Sequence, residues 1–445
     1  MLKIKKYFLG FLLIIGVLLI VFFYKNYNKA RIICKDCNVV LISIDALRPD
    51  HLGYMRYNKN TSPNIDEIAL NGIYFTQAIA PSSYTLPSQM SLFSSLYPSV
   101  HKVGLKEKLV KLNENATTLA AILKNNNYNT AGFVTLPFMG SYAGFSKGFD
   151  LYDDTGAFNA TYRNAEHINK PIFNWLNKNK EKNFFLFVHY MEVHTNLLTP
   201  DPYFNMFYPN YKGNLTRDMM GDWVLDKLNL SEDDLNYTIA VYDGSINYVD
   251  YNVGNLIKKI DELGLSNNTV IVILADHGEE LKDHGRIQHG LTLYEEIVRV
   301  PLIIKIPNMP PKKIDSQVST IDISPTILDI LGIKIPGQFQ GRSLSGIIEN
   351  KDEDRGIFSE DENHISLRKN GIKIIYNRNT KKVEAYNLKD DPKEKNDISA
   401  QIDEKKYINI ISDFIQKNEE LSKDFKPSIF VNETVKNRLI EMGYV

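Results

Sequence analysis

The sequence predicts a large doubly wound α/β fold, a mixed or parallel sheet flanked by helices. Short apolar runs without polar alternation, Val39–Ile44, Phe184–Val188, Val270–Leu274 and Leu302–Ile306, read as strands covered on both faces. Between them Ile246, Val249, Val253, Ile257, Ile260 and Leu263 recur at helical spacing until Gly264 stops the helix. The alternation continues for about 300 residues, which points to one large domain rather than the three that 445 residues suggest at ~150 per domain. In such sheets the site lies at the carboxyl ends of the strands.

Taken in order, the chain opens with eighteen uncharged positions, residues 7–24. At 1.5 Å per residue they span about 27 Å, close to the ~30 Å of a bilayer's hydrocarbon. Residues 1–24 are therefore expected to be a single membrane anchor and 25–37 a juxtamembrane linker. A cleaved signal peptide would want small residues at its cleavage site, and FFYKNYNKA offers only Ala30. Lys3, Lys5 and Lys6 favour a cytoplasmic N-terminus, whereas Lys25, Lys29 and Arg31 pull the other way. Cys34 and Cys37 are too few for a zinc site and read as a local disulfide or two idle thiols. Residues 38–350 form the expected main domain, and 351–445 a C-terminal subdomain of a small sheet and terminal helices.

The formal charge of −1 hides an asymmetry: the first 36 residues hold seven basic groups and one acid. The remainder carries 45 basic against 52 acidic groups, a net of −7. A nucleic-acid binder needs a basic surface to neutralise phosphates, so that class is excluded.

Two strand runs end in an aspartate: the first leads into Asp45, and Val270–Leu274 leads through Ala275 into Asp276 and His277. A third leads into His189, Glu192 and His194. One strand-end carboxylate is a common helix cap, but two of them with a histidine make a donor set for Zn²⁺, Mn²⁺ or a similar divalent cation. Thr85 lies at or just before the start of a helix with Pro87 in its first turn and Leu92, Phe93 and Leu96 on its buried face. It reads either as a cap or as a hydroxyl set where a helix N-terminus favours an anion. His51 and His101 read as locally bonded, His189 as structural, and His284 as a loop residue or a further ligand. Glu279, Glu280, Glu295 and Glu296 read as solvated or supporting acids, and Asp390-Asp391-Pro392 as a turn.

These fragments resemble the sulfatase-like branch of the alkaline phosphatase superfamily from about residue 38 to 400. The elements come in family order. They are IDALRPDHLGY with TSPNIDEIA, YTLPSQMSLFSSLYPSVH, FVHYMEVH, ILADHGEELKDHG with QHGLTLYEEIVRVPLII, IDISPTILDILGI with QGRSL, and AYNLKDDPKEKNDIS. The resemblance implies that Asp45, Asp276 and His277 hold a divalent metal (Zn, Mn or Ca). It puts Thr85 at the nucleophile position with its oxygen also on the metal. His194 and His289 fall where the family contacts the transferred anion, protonates the leaving group or completes a second metal site. The spacing from Asp276 to His289 is similar to that of phosphoethanolamine and phosphoglycerol transferases. Two departures stand out. The C/S-x-P-x-R signature reads Thr85-Leu86-Pro87-Ser88-Gln89, and the usual Asp-Asp pair reads Asp45-Ala46. Threonine cannot mature to formylglycine, which points to direct attack by its alkoxide.

The reading is a metal-dependent hydrolase, phosphodiesterase chemistry included. It would cleave small-molecule, glycan or lipid-linked sulfate or phosphate esters through a covalent intermediate on Thr85. It would be single-pass in the cell membrane, with its catalytic domain outside the cytoplasm. A phosphoethanolamine/phosphoglycerol-type transferase and a non-catalytic anion-binding ectodomain remain as alternatives.

Overall fold

The computed structural model describes residues 32–104, 110–135, 139–155, 163–194, 199–351 and 355–429. The chain divides into two compact units, Met1–Ile33 and Cys34–Val445. The expected anchor at 7–24 lies outside the described residues, among which no helix is long and apolar enough to cross a membrane. Cys34 and Cys37 are disulfide-bonded.

The central sheet draws on strands β1 (Asn38–Ile44), β2 (Ile73–Ile79), β4 (Asn129–Phe133), β5 (Leu151–Asp153), β6 (Phe184–Tyr190), β7 (Thr269–Leu274), β8 (Arg299–Lys305), β9 (Lys312–Ile314) and β10 (Val318–Ser319). Its order is β10-β2-β8-β7-β1-β6-β4-β5, with β9 pairing a further part of β2. The chain starts in the middle and winds outward both ways. Every residue of β1, β6 and β7 is buried, as expected of runs apolar on both faces. β8 runs antiparallel to both β7 and β2, and every other pairing in this sheet is parallel. Its apolar run gave no hint of that, because a buried strand reads the same in either direction.

Two smaller sheets complete the fold. β3 (Val110–Lys111) pairs with β15 (Ser428–Ile429). Antiparallel strands β11 (Ile357–Glu360), β12 (His364–Lys369), β13 (Ile372–Asn377) and β14 (Val383–Asn387) form the other. The helix Glu404–Ser422 lays Tyr407, Ile411 and Phe414, one face at helical spacing, against Ile365, Leu367, Ile374 and Ala385 of that sheet. The small sheet belongs to the same compact unit as the large one.

Register brings the site together. Ser43 of β1 pairs with His189 of β6 and with Leu274 of β7, so the three central strands end side by side. The long helix Glu232–Glu262 locks the turn after β1. Its Tyr242 hydroxyl donates to the Ala46 carbonyl (2.7 Å) and accepts from the Arg48 N–H (2.9 Å). Ala46 is held there at φ 55°, a left-handed conformation that a residue with a Cβ rarely adopts.

Candidate active site

Asp45 leaves β1 fully buried, with Oδ1 3.4 Å from His277 Nε2 and Oδ2 3.4 Å from His189 Nε2. Neither oxygen has a hydrogen-bond partner. Burial pushes its pKa up, but the imidazoles of His194, His189 and His277 overcome that and hold it below the usual carboxylate range. Asp276, at the end of β7, accepts its own neighbour's N–H (His277, 3.0 Å) on Oδ1, while Oδ2 is buried without a partner. Burial, and then the charge of Asp45, raise its pKa. Ligand atoms of Asp45, Asp276 and His277 all lie within 4.8 Å of one another. Three buried carboxylate oxygens without donors beside an imidazole nitrogen are what a bound cation satisfies, since unpaired buried charge is strongly unfavourable. The residues fit the expected metal.

His277 has a fixed ring orientation. Its Nδ1 is 2.8 Å from the Gly278 carbonyl, which can only accept, so Nδ1 carries a proton and Nε2 is the atom turned to Thr85 and the carboxylates. Gly278 has no room for a side chain: a Cβ would lie 2.1 Å from the Glu296 carbonyl oxygen.

Thr85 is the first residue of the helix Thr85–Ser94, and Tyr84, in extended conformation, is the N-cap. The Thr85 hydroxyl lies 3.0 Å from His277 Nε2 and makes no capping bond. The alternative of a capping threonine is set aside. All ten residues of this helix are buried, not one face as its apolar spacing suggested. Its serines make that tolerable: Ser88 donates to the Asp276 carbonyl (2.6 Å) and Ser94 to that of Met90 (2.7 Å). Gly104, at φ 81°, lies so close behind the first turn that a Cβ would meet Leu86 and Pro87 at 2.6 Å.

His194 and His289 complete the cluster. The His289 ring stacks on His277 at 4.2 Å and meets His194 edge-on at 4.7 Å. His194 is pushed down to about 3 by burial, against the pull of Asp45 and with that of His289. The structure thus brings Asp45, Thr85, His194, Asp276, His277 and His289 together.

Three contacts were not read from the sequence. Glu279, only 2% exposed, accepts from His289 Nδ1 at 3.0 Å, which makes it a supporting acid, the second of the two roles expected for it, and not a solvated one. Its signal was its place two residues past His277 on the same strand end. Glu192 caps the helix Ala165–Asn179 through the Ala165 N–H. Gln89, at the position of the signature arginine, donates to Ser43 Oγ (2.7 Å) on β1. Three other histidines are bonded away from the cluster: His51 binds Asp243 (2.7 Å), His101 binds Ser91 (3.0 Å), and His284 sits between Glu296 (2.6 Å) and the face of Tyr294 (3.7 Å).

Fold and site define the class, an alkaline phosphatase-like α/β fold with a two-aspartate, one-histidine cluster at the carboxyl ends of its central strands. The chain belongs to the sulfatase family, whose pattern matches residues 37–333, and it is a sulfatase-family hydrolase. Residues 283–424 match the C-terminal region of N-sulphoglucosamine sulphohydrolase. An arylsulfatase of Clostridium perfringens is 26% identical over 434 residues, spanning 80% of this chain and 89% of the relative. An N-acetylglucosamine-6-O-sulfatase of Bacteroides thetaiotaomicron is 22% identical over 492 residues, spanning 88% and 87%. Two solved structures share the fold. One, in complex with its substrate D-glucosamine-2-N,6-O-disulfate, has a TM-score of 0.72 at 20% identity over 87% of this chain and 98% of its own. The other, a phosphonate monoester hydrolase of Agrobacterium radiobacter, scores 0.68 at 20% identity over 86% and 95%.

Proposed function

We propose that this hydrolase cleaves sulfate esters through a covalent intermediate on Thr85, with a divalent cation held by Asp45, Asp276 and His277. The observation that carries the reading is the 3.0 Å approach of the Thr85 hydroxyl to His277 Nε2 among buried carboxylate oxygens without donors. Two carboxylates, an imidazole and a hydroxyl suit zinc or manganese better than calcium, which prefers six to eight oxygens. When bound, such a cation supplies positive charge that favours the alkoxide of Thr85 and steadies the ester's non-bridging oxygens. The names of the curated relatives support sulfate esters of aryl or sugar alcohols.

The Thr85 proton passes to solvent, and Oγ attacks sulfur opposite the leaving oxygen. The bond from sulfur to that oxygen breaks, and the sulfo group remains as an ester of Thr85. Glu279 occupies His289 Nδ1, so Nε2 is the atom that gives the leaving alcohol its proton. Water then attacks the same sulfur and surrenders a proton to His289 Nε2. The bond from sulfur to Thr85 Oγ breaks, the second proton of that water passes to Oγ, and sulfate departs with the hydroxyl restored. A second reading, a phosphate or phosphonate ester or a transfer in which an acceptor alcohol replaces water, is favoured by the threonine and Gln89 in place of the formylglycine signature.

Thr85→Ala is expected to abolish turnover of 4-nitrophenyl sulfate and 4-nitrophenyl phosphate with metal content unchanged, and undiminished turnover would sink the mechanism. The eighteen uncharged residues at 7–24 support a single anchor with the hydrolase outside the cytoplasm. External protease should then degrade residues 38–429 in intact cells, and full protection would overturn that placement.

A further inference from the structure

His289 sits in a stretch without ladder hydrogen bonds: among the described residues, those from Ala275 to Tyr294 form neither helix nor strand. Such a backbone is placed by the side chains that bond to it, and a proton donor must be held within ~0.5 Å of its working position. Glu279 holds the ring of His289, but not the main chain that carries it. That main chain is gripped just ahead of His289, by Asp226.

Asp226 follows the short helix Asp222–Leu225, and its carboxylate spans three consecutive residues of the His289 stretch. Oδ1 accepts from the Ile287 N–H (2.9 Å), and Oδ2 from Gln288 Nε2 (2.9 Å) and Arg286 Nη2 (3.4 Å). The Arg286 side chain is exposed and its pairing contributes little, so the grip lies in the bonds to Ile287 and Gln288. The Ile287 side chain is a second anchor. It is 1% exposed and packs with Phe204, Leu215, Met220, Leu225, Tyr237 and Val241. A polar bond to its N–H and an apolar seat for its side chain together fix both the height and the rotation of the chain there. The preceding turn is held separately: Glu280 Oε1 accepts from the N–H groups of His284 (2.9 Å) and Arg286 (2.7 Å). The holding residues share an origin as well. Phe204, Leu215, Met220, Leu225 and Asp226 all lie between His194 and the long helix Glu232–Glu262. His194 thus opens the stretch whose far end grips His289, and the two rings meet at 4.7 Å.

We propose that Asp226 is a positioning residue for proton transfer by His289, holding the main chain from which that ring reaches the leaving oxygen. This rests on the reading of His289 as the acid. A residue acting through the acid should matter in proportion to the help the leaving group needs. 4-Nitrophenolate is a weak base and leaves with little help, whereas phenolate is a stronger base and needs a proton. The test compares kcat/KM for 4-nitrophenyl sulfate and phenyl sulfate, because kcat/KM covers the steps up to release of the phenol and not the later hydrolysis of the Thr85 ester. His289→Ala should lower the phenyl sulfate value by about 10²-fold or more and the 4-nitrophenyl sulfate value by less than about tenfold. Asp226→Ala should show the same split, about tenfold or more against less than about threefold, with metal content unchanged. In a His289→Ala chain it should cost nothing further, since the two act as one unit. Asp226→Asn should recover most of the loss, because its Oδ1 still accepts from Ile287 and Gln288 can turn its amide to meet the new NH2. Should Asp226→Ala not fold, Gln288→Ala, which cuts one bond of the grip, should show the split at about threefold. Equal losses on the two esters, a loss that persists in the His289→Ala chain, or an unchanged phenyl sulfate rate would overturn the positioning role. A split in His289→Ala with none in Asp226→Ala rejects that role alone. No split in His289→Ala rejects the acid itself, and the role of Asp226 with it.

Discussion

One main-chain carbonyl fixes the proton on His277 Nδ1 and so turns Nε2 to the Thr85 hydroxyl and the buried carboxylates. His289 is fixed the same way, by the buried carboxylate of Glu279. Removing that acceptor charge while keeping the shape, Glu279→Gln, is expected to lower kcat by about 10- to 100-fold with metal content intact, since such supporting partners typically carry effects of that size. A kcat within twofold of the parent would mean that Glu279 merely fills space. Asp45, His194, Asp276 and His277 were legible after strand ends and Thr85 at a helix start, whereas His289, in the loop before Glu295–Val298, was placed by the resemblance to the family. The Glu279–His289 pair was not legible. It joins two residues across a ten-residue loop whose path no periodicity reports.

Among the elements, the buried strands were legible from unbroken apolar runs and the long helix from its spacing and Gly264. The direction of β8 and the complete burial of Thr85–Ser94 were not, since both depend on neighbours distant in sequence. The helix Pro63–Leu70 shows such a dependence in its capping. Asp250, on the long helix, accepts from the N–H groups of Ile65 (2.7 Å) and Asn64 (3.1 Å) at its start. Burial raises the Asp250 pKa to about 6, despite those bonds. The folded state therefore holds the proton more tightly than the unfolded chain. This group's contribution is full below its ordinary pKa near 4 and is lost as pH rises through 6. The loss is on the order of 3 kcal/mol between pH 4 and 7. Asp250→Asn should flatten that part of the pH dependence in urea unfolding, and an unchanged slope would refute the assignment.

At the scale of the molecule, the large and small sheets are joined by buried charge. Lys373 of β13, fully buried, pairs with Glu295 (3.1 Å) and Glu394 (2.9 Å), and Arg368 of β12 also reaches Glu295 (3.2 Å). Nothing in the sequence paired residues 78 apart, and Glu295 had read as a solvated or supporting acid. Lys373→Met leaves Glu394 buried without a cation while Glu295 keeps Arg368, and it is expected to lower stability by about 3–5 kcal/mol in urea unfolding; a loss under 1 kcal/mol would contradict the pairing. The net charge of −7 beyond residue 36 gives anionic esters no long-range steering, so recognition falls to the local histidines and metal. That centre stands or falls on Thr85. Its most direct test is mass analysis of the peptide bearing Thr85 after acid quench during turnover of 4-nitrophenyl sulfate. The account predicts a sulfo group on Thr85 that forms and decays with product release and is absent from Thr85→Ala. Turnover with no adduct on that peptide, or an adduct on another residue, would contradict it.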